Sequence, residues 1–278
     1  MTSADRLLAI LKLFTLEKPI WTAEEASSRI GVSVSSTYRY FKSLTKAGLL
    51  SPVTTSGFSL GPAFIEFDRL IQKSDPMLQA ARSIMSELIA HAPSHATVLL
   101  ARLYHNHVMC VHQVVGPGAQ TPLAYERGLP MPMFKGATSK VILAYFKPRQ
   151  IRRIYDQNQG ELKSTKSGSS LKRLQDSLAG IRRAGYCVAE REIDPDRIGI
   201  AAPIFGRNRE ILGSLSTAVV ADSTDEKTLR KLIVLTSASA HEIEYSMHGN
   251  VKSERPIVAR RRISMSRLPI QLPPRSAR

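Results

Sequence analysis

Apolar residues in the first fifty positions recur three or four places apart, which is the spacing of one buried face of an α-helix. Three runs of this kind occur, and each stops where the chain offers proline or glycine. The first run follows Ser3 and ends before Pro19, and the second ends at Gly31. The third run ends at Gly48, so the pattern predicts three short helices in succession.

Polar residues at fixed offsets mark where the second and third helices begin. Thr22 precedes Glu25 by three residues, which is the spacing of a capping box. Gly31 suits the left-handed conformation just past a helix end. Ser33 can then cap the third helix, because its hydroxyl accepts a hydrogen bond from an early backbone N–H.

The third helix has one apolar side and one side rich in hydroxyl and basic groups. Its inward side comprises Thr37, Tyr40, Phe41 and Leu44. Its outward side includes Ser35, Ser36, Tyr38, Arg39, Lys42, Ser43 and Lys46. A helix that only fills a core does not need so many hydroxyls and cations, so the outward side is a candidate contact surface.

Two strand-like segments follow the third helix. Residues 49–53 and 58–60 have strand composition, and residues 54–57 have turn composition. Three helices followed by such a hairpin predict a winged helix-turn-helix, whose last helix enters the major groove of DNA. Arg39 would bond a guanine or a phosphate through its planar guanidinium, and the two lysines would meet backbone phosphates. The alternative is an ordinary solvated helix face.

The rest of the chain alternates helical and strand patterns. Helices are predicted after Pro62, after Asp75, over residues 137–146, 149–157 and 170–184, and after Thr224 as a cap. Strands are predicted over residues 96–103, 108–115, 123–126, 186–191, 199–205 and 211–220. Residues 128–136 and 157–169 are predicted to be loops. This mixture predicts an α+β domain.

Composition points to an anionic partner. The chain has 278 residues, a formal net charge of +16 and a pI near 10.1. This excess favours nucleic acid first and an anionic membrane surface second. Residues 251–278 hold eight Lys or Arg, one acid and four prolines, which predicts a disordered basic tail. Such a tail is either a solvated extension or a non-specific contact with DNA phosphates.

Several classes of protein are disfavoured by what the sequence lacks. It has no apolar run of transmembrane length and no secretory signal at its start. Cys110 and Cys187 form neither a disulfide framework nor a zinc cluster, so a reduced cytoplasmic compartment is expected. The chain has no nucleophile elbow, phosphate-binding loop, nicotinamide fingerprint or paired catalytic carboxylates, so neither an enzyme nor a cofactor is expected.

Histidines cluster between residues 91 and 112 and raise a metal hypothesis. They are His91, His95, His105, His107 and His112. No acidic or cysteine partner stands at ligand spacing around the turn that holds His105 and His107. Surface histidines on a hairpin are therefore the favoured interpretation, and no metal is predicted.

A binding position for a small ligand is predicted where the helix near residue 137 begins. The backbone N–H groups of a helix N-terminus attract carboxylates, and Gly136 permits close approach of a ligand. Ala137 and Thr138 follow it in the first turn. Ser214 and Ser216 alternate along one strand and share a face across the pocket. The alternative is that these hydroxyls serve only as helix caps and strand contacts.

Six stretches, in this order, resemble bacterial transcriptional regulators of the IclR type. Residues 3–14 read SADRLLAILKLF, residues 31–50 read GVSVSSTYRYFKSLTKAGLL, and residues 57–62 read GFSLGP. Residues 132–145 read PMFKGATSKVILAY, residues 181–186 read IRRAGY, and residues 199–216 read GIAAPIFGRNREILGSLS. The resemblance covers about residues 3–249 and leaves the basic tail outside it.

The resemblance implies a DNA-binding repressor or activator with two domains. A winged helix-turn-helix would occupy residues 1–61 and a linker helix residues 62–75, and a GAF-like effector domain would occupy residues 76–249 before the tail at 250–278. It also implies a homodimer, or a dimer of dimers, on a palindromic double-stranded DNA operator. The effector domain would bind a small metabolite, often a carboxylate or an aromatic acid.

The chain departs from the family pattern at three positions of the effector domain. Gly199 stands where a cysteine often opens the strand, Ala189 where an acid is common, and Ala218 where a further polar residue is common. Gly199 is therefore counted among the predicted effector-binding residues. Loss of three polar groups favours a larger or less polar ligand, for which Met131, Met133 and Phe134 would supply walls.

Two other functions remain open from the sequence. The basic tail is compatible with a nucleic-acid-binding protein that takes no small-molecule effector. An enzyme is the second alternative, and it lacks any supporting motif. The sequence does not specify the operator, the effector or the sign of regulation.

Overall fold

The computed structural model describes residues 2–119, 123–163, 165 and 168–248, so the predicted basic tail lies outside the described residues. The chain divides into two compact units between Asp75 and Pro76.

The first unit contains four helices and a three-stranded antiparallel sheet. The helices are α1 (Ser3–Leu11), α2 (Ala23–Ile30), α3 (Val34–Lys46) and α4 (Ala63–Ser74). The strands are β1 (Trp21–Thr22), β2 (Leu50–Pro52) and β3 (Gly57–Leu60), in the order β1-β3-β2. The predicted three-helix order and two-stranded wing are confirmed. Strand β1 was not predicted, because two residues are too few to show an alternating pattern.

Local capping chemistry sets the ends of α2 and α3 as the sequence indicates. Thr22 and Glu25 form both hydrogen bonds of a capping box, and Gly31 adopts a left-handed φ of 68° at the end of α2. The Ser33 hydroxyl accepts from the N–H of Ser36 and caps α3. The apolar side of α3 then packs on the preceding helices, with Phe41 and Leu44 each 1% exposed.

Over its described residues, the second unit contains six helices and a six-stranded antiparallel sheet. The helices are α5 (Pro76–Ala90), α6 (Gly136–Leu143), α7 (Pro148–Gln157), α8 (Gln159–Lys163), α9 (Leu171–Ala184) and α10 (Glu226–His248). The strands are β4 (Thr97–Tyr104), β5 (His107–Val115), β6 (Pro130–Pro132), β7 (Cys187–Glu190), β8 (Arg197–Phe205) and β9 (Ile211–Val220). Their order in the sheet is β6-β5-β4-β9-β8-β7, and a short 3₁₀ helix, Ala221–Ser223, precedes α10.

Alternation along the strands divides the sheet into two packed faces. Val98 and Leu100 point toward α5 and α10, while Leu99 and Ala101 point toward the side covered by α6, α7 and α9. All eight residues of α6 are buried. This architecture confirms the predicted class, α+β, with a winged helix-turn-helix followed by an α/β domain. The buried thiols of Cys110 and Cys187 are free, as expected.

Three assignments between residues 123 and 169 were wrong. Residues 123–126 form no strand, since the Tyr125 hydroxyl and the Ala124 N–H bond to α6 and to Asp194 instead. The loop predicted over residues 128–136 instead contains strand β6, which lies at the edge of the sheet, where proline needs no partner for a missing N–H. The loop predicted over residues 157–169 contains α8, anchored by the fully buried Leu162.

The cap predicted for the last helix was also wrong. The Thr224 hydroxyl donates to the carbonyl oxygen of Val220, and the Asp225 carboxylate accepts from the N–H of Thr228. Asp225 is a stronger helix cap, because its charge also interacts favourably with the helix dipole.

Candidate functional site: a nucleic-acid interface and a ligand pocket

The seven residues predicted to contact DNA lie on one side of α3. Ser36 is partly buried and the other six are exposed. Ser36 accepts hydrogen bonds from the Ser33 hydroxyl at 3.0 Å and from the Arg39 guanidinium at 3.4 Å. These contacts direct Arg39 toward the N-terminal end of the helix, the end that meets base edges in a helix-turn-helix complex.

Tyr38 is held by a neighbouring helix. Its hydroxyl donates to the Glu24 carboxylate at 2.8 Å. This hydrogen bond raises the pKa of Tyr38 and lowers the pKa of Glu24. The contact connects α2 to α3 and fixes the direction of the phenol ring on the outward surface.

The C-terminal half of the same surface carries two cations. Lys42 and Lys46 are exposed, and neither has an ion-pair partner among the described residues. The Ser43 hydroxyl donates to the carbonyl oxygen of Arg39 within the helix. The lysines are thus available to phosphates, whereas the proton of Ser43 is already donated to the backbone.

A pocket lies where α6 begins, between that helix, strands β7 to β9 and the loop 191–196. Its volume is about 40 Å³, which holds only a few water molecules. Its lining includes Gly136, Ala137, Thr138, Gly199 and Ser216. The structure therefore brings five of the six predicted effector residues together. The sixth, Ser214, is fully buried outside this lining and donates to the carbonyl oxygen of Thr138 at 3.0 Å.

Glycine at position 136 is required by the backbone. Its φ is 77°, a left-handed conformation that other residues rarely adopt, and an added Cβ would lie 2.8 Å from Cγ1 of Ile193. Gly136 is the first residue of α6 and lines the pocket.

The chain's own carboxylate occupies the position predicted for a ligand carboxylate. Glu192 accepts from the N–H of Gly136 at 3.0 Å, and its other oxygen pairs with Lys140 at 2.5 Å. Burial alone would lower the pKa of the Lys140 ammonium, but the neighbouring Cys187 and Glu192 groups raise it, so Lys140 remains charged. Sequence reasoning missed this contact, since Glu192 lies 56 residues from Gly136.

Two backbone donors remain for a ligand. Among the described residues, the N–H groups of Ala137 and Thr138 have no hydrogen-bond partner. The Thr138 hydroxyl donates to the Ser216 hydroxyl at 3.0 Å, which connects α6 to β9. The Tyr125 hydroxyl lies 2.5 Å from the Ser139 hydroxyl and donates to the carbonyl oxygen of Lys135.

Asp194, in the loop before β8, and Arg197, the first residue of β8, also line the pocket and were missed. Asp194 accepts from the N–H of Ala124 at 3.0 Å. Arg197 is 5% exposed, donates to the carbonyl oxygen of His95 and pairs with Asp196 at 3.4 Å. The sequence Asp194-Pro195-Asp196 carries two acids beside a proline, a pattern typical of a solvated turn, so it did not indicate a pocket.

Small apolar residues form the remaining wall. Ala189 pairs with Gly199, and Gly199 pairs with Ala218, so the three positions lie side by side across β7, β8 and β9. All three line the pocket. Met131, Met133 and Phe134 do not belong to its lining among the described residues; Met133 and Phe134 are buried in the core instead. The walls predicted from these three residues were misplaced.

The described residues contain neither a metal-binding cluster nor a membrane-spanning helix. No group of three or more His, Cys, Asp or Glu side chains there could hold a metal ion. No helix there is both long enough and apolar enough to cross a membrane.

Family models match both units of the chain. The model described as the IclR helix-turn-helix domain matches residues 3–53. The model described as the C-terminal part of the bacterial transcriptional regulator IclR matches residues 71–245.

Curated relatives are similar over most of their length. The HTH-type transcriptional regulator KipR of Bacillus subtilis is 31% identical over 215 residues, which is 76% of this chain and 83% of that protein. The HTH-type transcriptional regulator XynR of Escherichia coli is 23% identical, over 82% of this chain and 89% of that protein.

Solved structures share the fold at low identity. A regulator of this type from Silicibacter sp. TM1040 has a TM-score of 0.75 and 19% identity, covering 88% of this chain and 96% of that one. A homologue from Microbacterium hydrocarbonoxydans, solved in complex with 4-hydroxybenzoate, has a TM-score of 0.72 and 20% identity, covering 89% of this chain and 100% of that one.

Proposed function

This chain belongs to the IclR family of bacterial transcriptional regulators and carries that family's helix-turn-helix domain, and from this premise we propose that it is a sequence-specific regulator controlled by a small organic acid. It acts as a regulator and not as an enzyme, in the cytoplasm, on double-stranded DNA. The DNA-binding part of this proposal rests on the outward side of α3. An arginine, two lysines and several hydroxyls are exposed there, on a helix that packs against α1 and α2.

The DNA-binding half is tested by footprinting. A binding site is first selected from random duplexes with the full chain. Arg39→Ala is expected to lose about 1–3 kcal/mol of binding free energy at that site if the guanidinium bonds a base. The triple variant Ser35→Ala, Ser36→Ala, Arg39→Ala should lose the footprint, because it removes the groups at the N-terminal end of α3.

Arg6→Ala is the matched control, since Arg6 is an exposed arginine on α1. It should leave the footprint and affinity unchanged. If the triple variant protected the same bases as the unaltered chain, α3 would not be the reading helix and this half of the proposal would be wrong.

The ligand-binding half is supported by the pocket at the start of α6. Its two unpartnered N–H groups and the positive end of the helix favour an anion, and its wall of Ala189, Gly199 and Ala218 favours an apolar body. A fold neighbour is described as complexed with 4-hydroxybenzoate, an aromatic acid. We propose that the effector is a carboxylate, with an aromatic acid as the leading class.

Binding must enlarge this pocket. At about 40 Å³ the pocket is much smaller than the cavity of about 150 Å³ that holds one benzene ring, and Glu192 already occupies one of the donors. We propose that the effector displaces Glu192 and moves the loop 191–196, which also carries Ile193 and Asp194. A panel of acids tested by thermal shift, and then for their effect on operator affinity, examines this half. If no acid altered the melting temperature or the operator affinity, the proposed control by an acid would be wrong, even if the chain still bound DNA.

The assembly is proposed from the linker helix. Five large apolar residues of α4 are exposed, namely Phe64, Ile65, Phe67, Leu70 and Ile71. An exposed apolar stripe of this kind marks an association surface. We propose that it joins two copies in a homodimer, which places two α3 helices on a palindromic operator, with a dimer of dimers as the larger form.

A further inference from the structure

A second and larger cavity lies at the other end of α6. Its volume is about 280 Å³, against about 40 Å³ for the first pocket. It opens between the end of α6, the start of α7 and one side of α9. The residues around it are Ala144, Tyr145, Phe146, Pro148, Ile151, Gln175 and Arg182. Its size falls near the lower end of the range for small-molecule sites.

The walls of this cavity are apolar and aromatic. Tyr145 and Phe146 are partly exposed, while Ile151 is buried at 3% exposure. The Tyr145 ring packs edge-on against Phe205, with ring centroids 4.8 Å apart. This packing holds the tyrosine ring in place and offers a flat surface for another ring.

The only charged side chain among the described lining residues is a cation. Arg182 donates from one terminal nitrogen to the carbonyl oxygen of Ala144 at 2.6 Å, which orients the guanidinium at the end of α6. Its other nitrogens have no partner among the described residues, and it forms no ion pair with them. A guanidinium fixed at one nitrogen presents the others as a fork suited to a carboxylate.

The charge around the cavity is also positive. Helices α7 and α9, which border the cavity, hold seven Lys or Arg against two acids. Arg209 stacks on Phe205 at 4.3 Å from the ring centroid. Glu244 raises the pKa of Tyr145, and its carboxylate already accepts from the N–H of Phe205 at 2.7 Å. An anion is therefore favoured at this cavity over a neutral or cationic ligand.

We propose that the cavity at the end of α6 binds a small aromatic carboxylate, with the carboxylate on Arg182 and the ring against Tyr145 and Phe146. Gln175 adds an amide that can bond a polar substituent on the ring. This site is separate from the first pocket, whose lining includes the carboxylates of Glu192 and Asp194. The proposal does not require that the first pocket bind an acid.

The test measures binding of benzoate to the full chain by isothermal titration calorimetry. Benzamide, the neutral analogue of the same shape, separates charge from ring contact. Arg182→Gln is expected to weaken benzoate binding by about tenfold or more, which is typical for losing charge-assisted hydrogen bonds. Arg183→Gln is the matched control, because Arg183 is the next residue of α9, is exposed and lies outside the lining. It should change binding by less than about twofold.

Two further variants keep the outcome interpretable. Arg182→Lys retains the charge and the bond to Ala144 but loses the fork, so it should bind benzoate with intermediate affinity. Gly199→Val fills the first pocket, since the nearest atom to an added Cβ is the Ala137 Cβ at 3.5 Å. It should leave binding at Arg182 unchanged. Thermal unfolding of each variant checks that the domain is folded.

Three results would overturn the second site. The first is equal benzoate affinity in Arg182→Gln and the unaltered chain. The second is benzamide binding as tightly as benzoate. The third is absence of benzoate binding at millimolar concentration, whether in Gly199→Val or in the unaltered chain. The proposed function has its own tests, namely selection of a DNA site and the response of operator affinity to acids. Failure of the second-site proposal therefore does not decide them.

Discussion

Glu192 is the single residue that most changes the chemistry of the first pocket. Its carboxylate holds the Gly136 N–H and the buried Lys140, and any acid that binds there competes with it. Glu192→Gln keeps the shape of the side chain but removes its charge. We expect acids to bind this variant about tenfold more tightly, because Lys140 then lacks an anionic partner. Calorimetry with the active acid from the panel measures the change.

The same substitution should lower the melting temperature without ligand, since it leaves a buried ammonium unpaired. Added acid should restore the melting temperature through binding to the folded state. Glu190→Gln is the control, because Glu190 lies nearby on β7 but outside the pocket lining. Unchanged acid affinity in Glu192→Gln would mean that the effector binds without displacing this carboxylate.

Two glycines should respond oppositely to alanine. Gly136→Ala places a Cβ at a left-handed φ and 2.8 Å from Ile193, so it should destabilise the second unit by more than about 1 kcal/mol. Gly180→Ala lies within α9 with nothing within 4 Å of the added Cβ. It should stabilise by about 0.5–1 kcal/mol, because alanine favours the helix. Urea unfolding of both variants gives the comparison, and equal effects would contradict it.

Among single residues, the sequence predicted the helix caps and the location of the first pocket, but it did not predict the distant residues that bond to that pocket. The capping residues of α2 and α3 were predicted because their partners lie within three residues. The first pocket was located by Gly136, but Glu192 and Asp194 reach it through a loop far along the chain. Contacts at such separations depend on strand order and register, which residue spacing does not contain.

Among the elements, α4 has the most exposed apolar side chains for its length. Ile65 is 76% exposed and Leu70 is 52% exposed. If α4 joins two copies, Ile65→Glu should shift the chain from dimer toward monomer, because it puts a charge into an apolar interface. Analytical ultracentrifugation across a dilution series measures the distribution.

Lys73→Glu is the matched control, as Lys73 is exposed on the same helix and the change alters charge without touching the apolar stripe. It should leave the dimer intact. A monomer in the unaltered chain, or a dimer unaffected by Ile65→Glu, would place the subunit contact elsewhere.

Long periodic elements were predicted with correct type, and short or edge elements were not. Helices α5, α7 and α9 and strands β4, β5, β8 and β9 contain enough residues to show their period. Strand β1 has two residues and β6 has three, two of them proline. Helix α8 is five residues of polar composition around Leu162, so tertiary contact and not local pattern decides its conformation.

The whole molecule carries its positive charge away from the helix-turn-helix unit. Residues 1–75 hold nine Lys or Arg against seven acids, whereas residues 144–185 hold ten against three and residues 251–278 hold eight against one. Deleting residues 251–278 should weaken DNA binding and make its salt dependence shallower, because fewer phosphate contacts release fewer counterions. Sequence preference should persist, since α3 is retained.

Binding of the shortened chain to the selected site and to scrambled duplexes, over a range of salt concentrations, checks this outcome. If the shortened chain bound both duplexes equally well, the tail and not α3 would be the segment that recognises the DNA sequence. The total charge predicted a polyanionic partner, but composition alone did not reveal how the charge divides between the units.

Helix α6 has a consequence for the two cavities, since one begins at its first turn and the other at its last. The helix is buried along its length and anchored to β9 by Ser214 and Ser216. A ligand that shifted α6 would change both cavities, whereas a side chain that fills the first pocket without moving the helix, as expected for Gly199→Val, would not. For two ligands coupled in this way, thermodynamic reciprocity requires each to change the binding affinity of the other by the same factor, whichever is added first.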